Sequence, residues 1–155
     1  LSIQDLRTYF YSRSKQAFIR SVDGVSLKVA KGETLGVVGE SGSGKSITAL
    51  SIMGLVSGGP GVISGTIMVT KNGAGKNLLE GLDRHVTITK QDDRIMDVRK
   101  DLEGWERNTE AVMSGVRGRE IAMIFQNPKS SLNPFTTVGK QITEAIQLHG
   151  RTFRA

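Results

Sequence analysis

Along the first seventy residues the apolar positions fall into short runs separated by glycine and polar breaks, a spacing that predicts strands more than long helices. Leu1–Phe10 and Val25–Val29 read as strands of a small sheet joined by the polar stretch Ser12–Gln16. Glu33-Thr34-Leu35-Gly36-Val37-Val38, bounded by Lys31-Gly32 and Gly39, reads as a short buried strand. Ile47, Leu50 and Met53 then recur at helical spacing before Gly54, as expected of one apolar helix face closed by a glycine. Ser57-Gly58-Gly59-Pro60-Gly61 is a breaker cluster and predicts a loop. Ile67 and Val69 alternate with Thr66, Met68 and Thr70, and Val86 and Ile88 alternate with Thr87 and Thr89, which predicts two half-exposed strands.

The stretch from Lys71 to Gly118 is polar. Within it Ile95, Val98, Leu102 and Trp105 fall at helical spacing after the capping candidates Asp92 and Asp93, so a short surface helix is predicted, with Trp105 packing its apolar face. Ile121-Ala122-Met123-Ile124-Phe125 reads as a buried strand with Gln126 at its carboxyl end, a place where a polar residue meets ligand in an open α/β sheet. The loop Asn127-Pro128-Lys129-Ser130-Ser131-Leu132-Asn133-Pro134 follows, its prolines delaying the next helix. Val138, Ile142 and Ala145/Ile146 mark that helix, expected to reach Arg154. No internal repeat is present.

The chemistry concentrates in Gly39-Glu40-Ser41-Gly42-Ser43-Gly44-Lys45-Ser46, a complete GxxxxGK[ST] run lying between the predicted strand and the predicted helix. Gly39, Gly42 and Gly44 let the backbone curl so that successive N–H groups point at a phosphate with no Cβ in the way. The helix starting near Lys45 adds first-turn N–H groups and the positive end of its dipole. The Lys45 ammonium is placed to reach the β- and γ-phosphates, and the Ser46 hydroxyl to bind Mg2+. Strand, loop and helix in this order predict a nucleoside triphosphate site.

Composition narrows the class. One domain, or part of one, fits 155 residues that are 37% hydrophobic and carry 19 glycines. The chain opens on Leu1 rather than Met, and with its last helix reaching the final residues it reads as a fragment. The absence of cysteine removes disulfides and thiolate metal sites and suits a reducing compartment. The longest apolar run, Ile121–Phe125, falls far short of the ~20 residues of a spanning helix, and no secretory signal is recognisable. Net charge is +6, yet residues 71–119 hold ten basic and nine acidic side chains, giving only +1, while residues 1–31 hold six against two, giving +4. That distribution is a solvated face without a dense basic cluster, which argues against nucleic acid as the partner. His85 and His149 match no metal pair and are assigned surface or packing roles.

Taken with Ile121–Pro134, the run Gly39–Ser46 resembles the ATP-binding subunit of ABC transporters, and the second run resembles the Q-loop of the oligopeptide and dipeptide importer branch. Val22-Asp23-Gly24-Val25-Ser26-Leu27, Lys31-Gly32-Glu33-Thr34-Leu35-Gly36 and Arg117-Gly118-Arg119-Glu120 are similar to that branch too. The resemblance implies an α/β P-loop NTPase of ABC type: an antiparallel β subdomain plus the core strand-loop-helix over residues 1–70, a polar insertion-bearing region over 71–118, and the Q-loop strand, coupling loop and start of a helical subdomain over 119–155. The C-terminal half, with the signature motif, Walker B strand, catalytic glutamate and switch histidine, would lie beyond Ala155. Ser57-Gly58-Gly59 mimics the signature motif only superficially, running into Pro60 with no glutamine.

By the same resemblance Gly39, Glu40, Ser41, Gly42, Ser43, Gly44, Lys45 and Ser46 cradle ATP and Mg2+, and Ile47 contributes its backbone N–H where many relatives have a second hydroxyl. Lys45 and Gln126 carry the catalytic roles, with Ser46 and Gln126 toward Mg2+. Phe10 matches the aromatic that stacks on adenine, Tyr9 and Tyr11 being the neighbouring alternatives. The loop Asn127–Phe135 is implied to face transmembrane permease subunits, with a second ATP-binding subunit completing the sandwich. The expectation is a peripheral ATPase on the cytoplasmic face of the cell membrane that powers peptide import. A soluble P-loop ATPase module with a regulatory or nucleic-acid-handling role is the other reading. The region Lys71–Gly115 is longer than the family's usual connection.

Overall fold

The computed structural model describes residues 1–56, 61–91, 94–127 and 132–149. The breaker Ser57–Pro60, the capping candidates Asp92 and Asp93, Pro128–Ser131 of the coupling loop and the stretch beyond His149 lie outside the described residues, as do the side chains of Arg94 and His149. Two compact units are present, Leu1–Ser114 and Gly115–Ala155.

The first unit is built on a four-stranded antiparallel sheet of β1 (Ser2–Ser12), β2 (Ala17–Lys28), β3 (Gly61–Lys71) and β4 (Ala74–Asn77), in the order β2-β1-β3-β4. The first two strands are longer than the sequence pattern predicts and meet across the expected polar turn. In β1 the buried positions Ile3, Leu6, Thr8 and Tyr11 do not keep a strict alternation. A bulge supplies the extra residue: Asp5 has φ +48°, and both ladders shift register around it. The partner strand accommodates this through Gly65, at φ +104°, where a Cβ would lie 2.4 Å from the Asp5 carbonyl oxygen. Ile3 and Leu6 thereby reach the core together, although they stand an odd three positions apart.

The phosphate-loop helix α1 (Lys45–Ile52) ends at Met53 and Gly54, as its apolar spacing predicts. Its last turn packs with Ile63 of β3, Leu78, Leu82, Trp105 and Met113 around one small apolar pocket. Each large apolar side chain buried there contributes roughly 1.5–3 kcal/mol relative to exposure. Trp105 is 7% exposed and fills the core, as expected.

The helix predicted over residues 95–105 is corrected. Residues Val86–Gln91 and Arg94–Lys100 form a second, two-stranded sheet, the hairpin of β5 and β6, and the helix α2 runs from Leu102 to Met113. Ile95 and Val98 owe their spacing to a register shift in this hairpin between Thr89 and Lys90, which mimics a helical period. The true cap is Asp101, whose Oδ1 accepts from the Gly104 N–H at 3.0 Å. Trp105, Thr109 and Met113 then share one buried face at four-residue spacing.

The two predicted core strands are also corrected. Residues 31–40 are exposed and make no ladder, Val38 being 95% accessible. Ile121 makes a single parallel bridge with Arg117, and residues 122–125 make none, with Ile124 90% accessible. Both runs have the composition of parallel core strands. Such strands exist only between hydrogen-bonded neighbours, and beyond the Ile121–Arg117 bridge no described segment pairs with either run.

In the second unit α3 (Val138–His149) carries Val138, Ile142 and Ile146 along one exposed face. The Gln141 amide fastens the preceding loop: Nε2 donates to the carbonyls of Asn133 at 3.1 Å and Thr136 at 2.8 Å, while Oε1 accepts from the Asn133 N–H at 3.0 Å. Among the described residues no helix is long and apolar enough to cross a membrane.

Candidate functional site

The loop Gly39–Gly44 leads into α1, whose first residues are Lys45, Ser46 and Ile47. A turn closes the loop with Ser43 N–H donating to the Glu40 carbonyl at 3.3 Å. The Lys45 ammonium lies inside this curl: Nζ donates to the carbonyls of Gly39 and Glu40, each at 2.7 Å, and to Ser43 Oγ at 3.1 Å. A cation thus sits at the focus of a loop whose backbone turns around it. Gly39, Glu40, Ser41, Gly42, Ser43 and Ser46 are exposed, while Gly44, Lys45 and Ile47 are half-buried.

Two glycines have different reasons to be there. Gly44 caps α1 at φ +88°, and a Cβ on it would stand 2.5 Å from the Ser21 carbonyl oxygen of β2. Gly42 has φ +82° with nothing within 4 Å of the Cβ position. No side chain caps the helix and its first turn holds no acidic residue, so its positive end carries no anion of its own. The helix is held from behind: Ser51 Oγ meets Thr8 Oγ1 of β1 at 2.7 Å in the buried core and donates to the Ile47 carbonyl at 2.7 Å. Sequence reasoning missed this tie. Its signal was Thr8 itself, a hydroxyl at a strand position whose neighbours on the pattern are core residues.

Phe10 is half-buried on β1. The β1–β3 register runs without a break from Arg7↔Ser64 to Phe10↔Gly61, which puts Phe10 on the same strand face as Thr8. Its neighbours are committed elsewhere. The Tyr9 ring lies 5.8 Å from Phe18 and under the Arg20 guanidinium, with its hydroxyl on Asp23. That bond raises the Tyr9 pKa above its ordinary value and, with Arg20 and Arg7 nearby, lowers that of Asp23. Tyr11 is buried, packs edge-on to Phe18, and donates its hydroxyl toward the carbonyls of Ile95 at 3.4 Å and Met96 at 3.2 Å.

Gln126 lies at an exposed bend in the second unit, and the phosphate loop belongs to the first. Among the described residues no group of three or more His, Cys, Asp or Glu could hold a metal. His85 is assigned to structure: its Nδ1 meets Asp101 Oδ2 at 3.2 Å. The Gly104 N–H, first, and His85 hold the Asp101 carboxyl below its usual range.

A curled glycine loop, a central lysine and an uncapped helix start form a receptor for a polyanion. These features fit the triphosphate of a nucleotide, and the exposed Ser46 hydroxyl is an oxygen donor of the kind that Mg2+ takes.

Comparison with known proteins agrees. The profile of the ABC transporter family matches residues 22–153. The chain is 41% identical over 155 residues, all of its length, to a Sinorhizobium fredii protein named as a probable peptide ABC transporter ATP-binding protein, y4tR, covering 37% of that protein. It is 41% identical over 149 residues, 96% of its length, to the oligopeptide transport ATP-binding protein AppD of Bacillus subtilis, covering 36% of it. Over 152 residues, 97% of its length, it is 39% identical to the glutathione import ATP-binding protein GsiA of Salmonella choleraesuis, covering 20% of it. The chain therefore spans from a fifth to somewhat over a third of the length of these relatives.

Proposed function

Because the chain belongs to the ABC transporter family, we propose that it is the ATP-binding and ATP-hydrolysing part of a subunit that powers peptide import. The observation that carries this reading is the Lys45 ammonium held at the centre of the Gly39–Ser46 curl by two carbonyls and a hydroxyl. A triphosphate entering the curl exchanges those weak acceptors for charged oxygens, which bind an ammonium more strongly. The loop amides and the uncapped start of α1 orient the phosphates, and Ser46 holds Mg2+. When bound, the metal neutralises β- and γ-phosphate charge during transfer. Lys45 adds its own positive charge at the same oxygens. Phe10 stacks on the adenine, leaving Ile47 to contribute only its N–H.

Gln126 orients water and Mg2+ at the γ-phosphate, and the loop Asn127–Phe135 couples the site to transmembrane permease subunits. A second ATP-binding subunit completes each site. The assembly is peripheral on the cytoplasmic face of the cell membrane, and the names of the relatives support peptides as cargo. The test is a pull-down of full-length protein from membranes with an ATPase assay, comparing wild type with Lys45→Ala and Gln126→Ala. Capture of integral membrane subunits by wild type, with loss of coupled hydrolysis in both variants, is expected. A protein that brings down no membrane subunit and hydrolyses ATP equally well in all three forms would refute the proposal.

A further inference from the structure

Three independent contacts converge on one rung of the sheet. Phe10 of β1 is paired with Gly61 of β3. The next residue, Tyr11, directs its hydroxyl at two consecutive carbonyls of β6. The last residue of β6, Lys100, donates from Nζ to the Gly61 carbonyl at 2.9 Å, and its ammonium stands 3.7 Å above the centre of the Trp105 ring. An ion pair between Arg13 and Asp97 at 3.9 Å adds a weaker contact beyond the strand end. The hairpin β5–β6 therefore grips both sides of the Phe10–Gly61 rung, from β1 through Tyr11 and from β3 through Lys100.

The same strand is fixed to the phosphate-loop helix two residues earlier, through Thr8 and Ser51. One strand thus links the two ends of the nucleotide site, with the helix holding one end and the hairpin the other. Within the hairpin it is β6 that carries the groups that reach the rung.

We infer that the β5–β6 hairpin is a brace for the base end of the nucleotide site, with Tyr11 and Lys100 as positioning residues that hold Phe10 against the adenine. This rests on Phe10 being the stacking aromatic. A ring holds a base well only if the strand beneath it is fixed, because every freedom left in the strand is lost on binding. The brace acts on the base and leaves the phosphate loop alone, so it is distinguishable from a general stabilising contact.

The experiment measures binding of Mg-ATP and of inorganic tripolyphosphate to the full-length protein by calorimetry, for wild type, Phe10→Ala, Tyr11→Phe and Lys100→Met. Tyr11→Phe removes only the hydroxyl, and Lys100→Met keeps an apolar stem on Trp105. Each is expected to weaken ATP roughly threefold to tenfold, the yield of one hydrogen bond, while tripolyphosphate affinity stays within twofold. If Phe10→Ala weakens ATP but neither brace variant does, the brace is refuted and the stacking role of Phe10 stands. If the brace variants weaken tripolyphosphate as much as ATP, the hairpin supports the whole fold and the inference also falls. If Phe10→Ala leaves ATP binding unchanged, the base lies elsewhere and the brace has no target.

Discussion

Replacing Gly44 by alanine tests whether the phosphate loop is shaped by sterics or only by flexibility. Gly44 and Gly42 have nearly the same backbone, φ +88° and +82°, so alanine at either position pays a similar left-handed penalty of about 1–2 kcal/mol. Only Gly44 meets an obstacle. Its Cβ would stand 2.5 Å from the Ser21 carbonyl oxygen, where ordinary contact begins at 3.4 Å, so 3.4 − 2.5 leaves 0.9 Å to be found. Ser21 cannot yield cheaply, because its neighbours Arg20 and Val22 are laddered to Tyr9 and Thr8 of β1. Overpacking of this kind costs about 1–3 kcal/mol. Gly44→Ala is therefore expected to destabilise the fold by about 2–5 kcal/mol and Gly42→Ala by about 1–2 kcal/mol. Urea unfolding followed by the fluorescence of the single tryptophan, Trp105, gives both values. Calorimetric binding of Mg-ATP should show Gly44→Ala losing more than tenfold, since the strain is relieved by shifting the start of α1. Equal stabilities for the two variants, within about 0.5 kcal/mol, would refute the argument that close approach to β2 is what requires glycine here.

Lys45→Ala should leave the melting temperature within a few degrees of wild type while ATP affinity falls at least about 100-fold, the cost of a charge-assisted contact; intact affinity would remove Lys45 from the site. Burial pushes the Lys100 amine down to about 8, against 10.5 in the unfolded chain, with Glu106 opposing the shift. Between those values the unfolded state holds the extra proton, so stability rises with pH across that window. Allowing for screening of a half-buried group, the gain is about 1–2 kcal/mol, and Lys100→Met should flatten it in denaturation curves taken from pH 7.5 to 10.5. Gly104→Ala should destabilise despite a helix-propensity gain of about 1 kcal/mol. Its Cβ would lie 2.1 Å from Asp101 Oδ2 and 2.4 Å from His85 Nδ1, displacing the cap of α2; a variant as stable as wild type would contradict this. The Asp101 carboxyl is held below its usual range, so its cap persists above the ordinary carboxylate pKa and is lost as pH falls through the lowered one. Asp101→Asn should remove that acid-side dependence in thermal melts below pH 4.5.

How much the sequence disclosed depended on whether the governing contact was local. The curl of Gly39–Ser46, α1 and its closing glycine were legible because glycine conformation and helix spacing act within a few residues. β3 was legible from the alternation of Ile67 and Val69 and β1 as a strand, although the bulge at Asp5 was not, since it answers to Gly65 on another strand. The hairpin–helix segment misled because Ile95, Val98, Leu102 and Trp105 keep a helical spacing across a strand, a cap and a helix start. Only the cross-strand register decides between the readings. Val37, Val38, Ile124 and Phe125 were legible as apolar but not as unpaired, because pairing is a property of a partner and not of the run itself. The contacts around Phe10 could not be read at all: Tyr11 and its acceptors Ile95 and Met96 lie more than eighty residues apart.

The closure of a core within Leu1–Ser114 has a consequence in time. Residues leave the ribosome in chain order, and the sheet, α1, the hairpin and α2 all belong to this unit, as do the buried Leu6, Ile67, Val98 and Trp105. The Thr8–Ser51 tie then forms while the rest of the protein is still being made, so the phosphate-loop helix is already docked when later segments arrive. Pulse proteolysis of nascent chains stalled shortly after residue 114 has left the exit tunnel would show a protected product. Uniform digestion of those chains would mean that this unit waits for later residues.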